Sequence, residues 1–222
     1  MTEKSLSPAP EWKPGCPEWT VENGSPAAET ARRSVLESLI AEDAFQLPSL
    51  EMVRAWHRRM FKDIAPHPDY LGGFRDAEEA PYCLQGYDVE VGGIPGVSSE
   101  HVFDELEKFI SEFVAKIRGL DSTWSDSEGS LAQEQIEEVV RVAAWAHGEW
   151  VRIHPFANGN GRTSRLWANY VLVRYGFGPA LQIRPRPSEP YGIAARASMA
   201  RGDHRGMEVV IWLCLADSYG ST

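Results

Sequence analysis

Lysine disappears from this 222-residue chain after Lys116, and cysteine is scarce, at Cys16, Cys83 and Cys214 alone. Three widely spaced thiols form no C-x-x-C pair, which excludes a zinc ribbon or a dense disulfide framework; reduced thiols are the expectation. Long apolar runs are missing too. The longest, residues 209–216, falls well short of the ~18 residues that begin a membrane span. The first thirty residues carry no basic-then-apolar signal pattern, so a cytoplasmic chain is expected. No segment repeats, and neither G-x-S-x-G nor H-E-x-x-H occurs, which removes solenoids, the common hydrolase triad and zincin-type proteases.

What remains is an ordinary folded composition, 43% hydrophobic and 24% charged. The net charge of −10 argues against nucleic-acid or anionic-membrane partners. The charge is unevenly spread, however. Residues 98–140 carry eleven acids against three bases, whereas from Arg152 to Arg205 nine arginines meet only Glu189 and Asp203. An arginine-rich segment on an acidic protein suits a small phosphorylated ligand better than a duplex.

Periodicity predicts a mainly α protein. Residues 1–27, with Pro8, Pro10, Pro14, Pro17 and Pro26, read as an irregular arm that reaches the body through Trp12 and Trp19. Residues 28–222 read as one helical domain, beginning with a helix over 28–44 and a second one capped by Ser49. Tyr87-Asp88-Val89-Glu90-Val91 alternates strictly before Gly92-Gly93, which predicts a β-hairpin flap on a helical body. An amphipathic helix starts at Ser98 or Ser99, and a polar loop is expected over 120–129. Ser130 and Gln133 form a capping box for the next helix. Further helices are expected over 161–175, 189–200 and 204–218.

The chemistry concentrates in His154-Pro155-Phe156-Ala157-Asn158-Gly159-Asn160-Gly161-Arg162-Thr163-Ser164-Arg165. Pro155 disfavours helix at His154, so a helix ends there and its imidazole can face a cleft. An imidazole titrating near 6.5 suits a general base. Gly159-Asn160-Gly161 can turn several N–H groups inward just where a helix begins, a natural phosphate cradle. Arg162 and Arg165 oppose the helix dipole by about 0.3–1 kcal/mol each. Their placement makes sense if they meet a polyanion. The lysine of a Walker-type loop is absent.

This segment resembles the Fic family signature H-P-F-x-[D/E]-G-N-G-R-x-x-R and departs from it at Asn158. The stretches His57-Arg58-Arg59-Met60-Phe61 and Leu71-Gly72-Gly73-Phe74-Arg75 are similar to the family's upstream elements, and the hairpin of residues 87–97 lies where the family has a target-docking flap. The resemblance implies a Fic-type helical bundle that transfers AMP from ATP to a Ser, Thr or Tyr hydroxyl of a target protein. It makes His154, Asn160 and Arg162 catalytic. Gly159, Asn160, Gly161, Arg162 and Arg165 would bind the nucleotide, and Phe156 would pack inward. The family acid holds Mg²⁺ (or Mn²⁺), a role left here to Asn158, a neutral and weaker ligand for a hard cation. Asn at this place is similar to a bacterial, toxin-like subset linked to mobile elements, in which a small antitoxin partner is possible. A regulatory helix of the form [S/T]-x-x-x-E-[G/N] is approximated by Ser38 to Asp43, which would pair Glu42 with Arg165. Tyr191 reads either as a base-stacking residue or as core. A nucleotide-binding regulatory module without turnover, or transfer of another nucleotide, is the alternative.

Overall fold

The computed structural model describes residues 13–19, 26–76, 78–125 and 133–219. In this region the protein consists of seven helices: α1 (Pro26–Ala41), α2 (Leu50–Phe61), α3 (Val102–Ser125), α4 (Gln133–Ile153), α5 (Asn160–Arg174), α6 (Tyr191–Arg201) and α7 (Arg205–Tyr219). One hairpin, β1 (Glu90–Val91) and β2 (Ile94–Pro95), completes it. The mainly α expectation is met.

Helix α2 begins where Ser49 Oγ accepts the Met52 N–H at 3.2 Å. It buries Val53, Trp56, Met60 and Phe61 at helical spacing. Helices α4 and α5 form the central pair; α3, α6 and α7 pack on α4, and α1 and α2 lie against α5. Trp167 of α5 joins them, with its ring 4.8 Å from Trp56, 5.3 Å from Phe113 and 6.0 Å from Trp150. Aromatic pairs at such spacings add about 0.5–1.5 kcal/mol each beyond the area they bury. The stacking fixes α2, α3 and α4 around α5, the helix whose first turn carries the motif arginines.

Several boundaries differ from expectation. Helix α3 continues to Ser125 through the predicted loop, because Asp121 accepts from Arg174 Nε and Nη2 at 2.9 and 2.7 Å, and Trp124 packs 4.9 Å from Tyr175. A bidentate ion pair and a partly buried indole outweigh the local polarity. Ser130 of the capping box lies outside the described residues, as does Trp12. The hairpin is shorter than the alternation suggested, with Val91 opposite Ile94 and Glu90 opposite Pro95. Gly92 and Gly93, at φ 57° and 81°, make the two-residue turn that only such residues adopt easily.

The expectation of reduced thiols is corrected. Cys16 and Cys83 are joined by a disulfide across 67 residues, while Cys214 is free. The spacing rule looks for neighbours in sequence and cannot see a pair made by folding. Trp19 is buried as anticipated, in the same hydrophobic core as Leu39, Phe61 and Trp167. Among the described residues, no helix is long and apolar enough to cross a membrane.

Candidate functional site

Helix α4 ends at Ile153, and His154 follows in the left-handed region at φ 55°. Its N–H still reaches Trp150 O at 3.0 Å, closing the last turn in the manner of an αL cap. For a non-glycine residue this costs about 1–2 kcal/mol. Arg75 offsets the cost. Its fully buried guanidinium donates to the carbonyls of His154 (2.7 Å), Ile153 (2.9 Å), Tyr87 (3.1 Å) and Val97. The Arg75 N–H adds a bond to Pro155 O at 2.8 Å. One side chain thus ties both roots of the flap to the loop that carries the imidazole.

His154 Nδ1 lies 2.9 Å from the Val151 carbonyl, so it carries the proton and leaves the Nε2 lone pair on a ring that lines a cavity. Burial, together with the Arg75 charge, pushes its pKa down to about 4, so the imidazole is a neutral base at physiological pH. Phe156 packs fully inward, with its ring 4.0 Å from His57 and 4.9 Å from Phe74. His57 is itself buried. Its Nδ1 accepts the Gly72 N–H at 3.1 Å, so its Nε2–H donates to Asn158 O at 3.0 Å. Desolvation holds it neutral, with its pKa lowered to about 3.

Gly159, at φ 86°, caps α5. A Cβ there would sit 2.6 Å from the Phe61 ring, so glycine is required by both conformation and space. Asn160 and Gly161 are the first two residues of α5, where main-chain N–H groups have no partner within the helix. The Asn160 side chain is engaged within the loop as well as lining the cavity. Its Oδ1 accepts from Phe156 N at 2.9 Å and its Nδ2 donates to Phe156 O at 2.8 Å, so it staples the loop.

The two motif arginines are buried beside this turn, 7% and 5% exposed. Arg162 lies over the Phe61 ring at 4.1 Å and donates to Asn158 Oδ1 at 3.3 Å. Burial and the charges of Arg165 and Arg184 push it down to about 9, a cost that a bound anion would relieve. Arg165 donates to Tyr191 OH (2.8 Å) and to Ile183 O (2.7 Å). Tyr191 OH in turn reaches His147 Nε2 at 2.9 Å. Tyr191 is buried in the core, as one of its two readings had it, but its tie to Arg165 and His147 was not legible, since nothing in sequence spacing links residues 147, 165 and 191.

The pairing of Glu42 with Arg165 is not formed. Glu42 is exposed just past α1, and Arg165 is held by Tyr191 and Ile183 instead. Asn158 Oδ1 accepts from Gly159 N at 2.6 Å as well as from Arg162, and its Nδ2 donates to Trp19 O at 3.3 Å. Both ends of the amide are therefore committed. The cavity, about 430 Å³, is lined by His154, Asn158 to Arg162, and Arg165, Arg186 and Arg196, with Tyr191, Ala195 and Met199 of α6 along one wall and Val91 and Ile94 of the flap above. No carboxylate among the described residues lines it. Among the described residues, the one group of His, Cys, Asp or Glu close enough to share a metal is His67, Asp69 and Cys83, away from this lining, and the Cys83 sulfur is bonded to Cys16.

Comparison with known proteins gives a consistent picture. A family model described as "Fic/DOC family" matches residues 47–172. Protein adenylyltransferase fic-1 of Caenorhabditis elegans is 36% identical over 153 residues, which cover 69% of this chain and 24% of that protein. Protein adenylyltransferase Fic of Culex quinquefasciatus is 52% identical over 56 residues, 24% of this chain and 11% of that protein. The chain thus spans about a quarter or less of these relatives. Among solved structures, a Fic domain containing signaling protein from Bacteroides thetaiotaomicron superposes with a TM-score of 0.59 at 20% identity, over 90% of this chain and 72% of the other. Fic-1 from C. elegans gives 0.55 at 25% identity, over 90% and 52%.

Proposed function

Because this chain belongs to the Fic/DOC family, whose model matches residues 47–172, we propose that it moves AMP from ATP onto a Ser, Thr or Tyr hydroxyl of a target protein. The observation that carries this is a cavity holding four arginines, a helix N-terminus and one imidazole, with no carboxylate among its described lining residues to repel phosphate. The triphosphate would lie on the Asn160 and Gly161 N–H groups and between the forks of Arg162 and Arg165. The target hydroxyl oxygen attacks the α-phosphorus, the bond to the β-phosphate oxygen breaks, and pyrophosphate leaves. The hydroxyl proton passes to His154 Nε2. Catalysis then comes from in-line positioning and neutralisation of charge by guanidinium groups.

The residues present do not fit a protein-bound Mg²⁺ or Mn²⁺. The amide oxygen of Asn158 already accepts two N–H groups, and among the described residues no acid faces the cavity. No step is therefore assigned to a metal. The target would dock along the flap, residues 87–97, by adding a strand to its exposed edge, and Arg75 couples that hairpin to the base. Cytoplasmic residence, expected from the sequence, stands against the Cys16–Cys83 bond, since disulfides persist mainly in oxidising compartments.

Mass spectrometry after incubation with each nucleoside triphosphate tests the reading. One nucleoside monophosphate gained on a protein hydroxyl is expected from ATP, lost in His154→Ala with ATP affinity within a few-fold. Collapse of affinity in that variant would remove the base assignment. A second reading, nucleotide binding without turnover, is favoured by the committed amide of Asn158. Calorimetric ATP binding with no added mass on any protein would select it.

A further inference from the structure

Residues 13–19 have no helix or strand to hold them, yet they end against the phosphate cradle. Four attachments fix them. The Cys16–Cys83 disulfide is one. Lys13 Nζ donates to Tyr82 O at 3.0 Å, and Tyr70 OH donates to Pro17 O at 2.8 Å. Trp19 is the fourth, buried with its ring stacked on Tyr70 at 5.7 Å and edge-on to Phe61 at 5.2 Å.

Trp19 meets the cradle by two routes. Its carbonyl accepts from Asn158 Nδ2, which leaves Asn158 Oδ1 turned to Gly159 N and Arg162. Its indole abuts Phe61, the ring that lies under the Arg162 guanidinium. A carboxylate in place of Asn158 would set an oxygen against the Trp19 carbonyl. With this strap closed, the position suits an amide and disfavours an acid.

We propose that Trp19 is a positioning residue for Asn158 and Arg162, held by the Cys16–Cys83 disulfide, so that reduction of this bond loosens the phosphate cradle. The inference rests on the nucleotide-site reading above. In the reduction, a dithiol supplies two electrons and two protons. The sulfur–sulfur bond breaks, Cys16 and Cys83 each become thiols, and the reductant closes to its own cyclic disulfide. Losing the hydrogen bond that orients Asn158 is expected to weaken ATP binding about fivefold, the equivalent of about 1 kcal/mol.

The test uses the full ¹⁵N-labelled chain, oxidised and after dithiothreitol, with ATP as the calorimetric probe. The Asn158 side-chain NH₂ signal, assigned by its loss in Asn158→Asp, is expected to be protected from exchange in the oxidised chain and unprotected after reduction. ATP affinity should fall about fivefold in the same step. Cys16→Ser with Cys83→Ser should behave as the reduced chain, and if that variant misfolds, reduction of the unaltered chain decides. Trp19→Phe, which keeps the carbonyl and a ring, should retain the protected amide, and Trp19→Gly should lose it with the disulfide intact. An amide that stays protected after reduction, with unchanged ATP affinity, overturns the proposal. So does global loss of helical circular dichroism on reduction, which would make the bond a plain structural staple. The amide signal requires no nucleotide. If it responds to reduction while no protein gains AMP, positioning stands and the transferase reading falls.

Discussion

Acid should unfold this protein through three histidines, His57, His147 and, down to about pH 4, His154. His57 and His147 are fully enclosed and are pushed down to about 3, chiefly because burial strips water from the imidazole. In the unfolded chain each titrates near 6.5. Below that value the unfolded state takes up protons that the folded state refuses. Stability from these groups is therefore complete above about pH 6.5 and drains away as the pH falls toward about 3. Each contributes a slope of about 1.4 kcal/mol per pH unit, so with His154 the three give about 4, and two pH units remove about 8 of a typical 5–15 kcal/mol. Glu149, lowered to about 2 by hydrogen bonds from His204 and Arg152 that outweigh its burial, acts in the same direction but lower, from its ordinary range down to about 2. The measurement is a set of urea unfolding midpoints by circular dichroism from about pH 7 to about pH 4. His147→Gln should lower the starting stability and reduce the slope by about a third. Stability that stays flat over this range, or a slope indifferent to His147, would refute the claim that these imidazoles are held neutral.

Other consequences are as direct. Gly159→Ala forces a methyl group into the Phe61 ring at a positive φ, so a loss of about 2 kcal/mol or more in urea unfolding is expected, with ATP binding abolished by calorimetry. Tyr191→Phe removes the oxygen that accepts from Arg165 and contacts His147; about 1–3 kcal/mol of stability and several-fold in ATP affinity should go with it. A Tyr191→Phe protein with unchanged ATP affinity would show that Arg165 needs no such support.

What the sequence made legible was local. Helical periodicity located the buried face of α2, and Gly92-Gly93 announced the hairpin. The motif of residues 154–165 brought its imidazole and arginines into one cavity as expected. The partners that tune this site come from far along the chain, and no spacing rule connects them. Asn158 meets Trp19 across 139 residues, His57 meets Asn158 across 101, and Arg75 meets His154 across 79. The disulfide and the continuation of α3 were missed for the same reason, since tertiary contacts decided against local composition. That the Asn160 side chain also staples the loop was not legible, because a motif residue facing a cavity and one bracing the loop look alike in one dimension.

Arg75 has an implication for how recognition and chemistry meet. It grips the two ends of the hairpin and the carbonyl next to the imidazole with the nitrogens of one rigid plane. A rigid plane cannot yield at one corner alone. On the docking and base roles proposed above, a guest strand tugging on the hairpin would pull on the same bracket that aims the imidazole, and a poorly seated guest would leave it misaligned. Substrate choice would then be a matter of mechanical leverage as well as of surface fit.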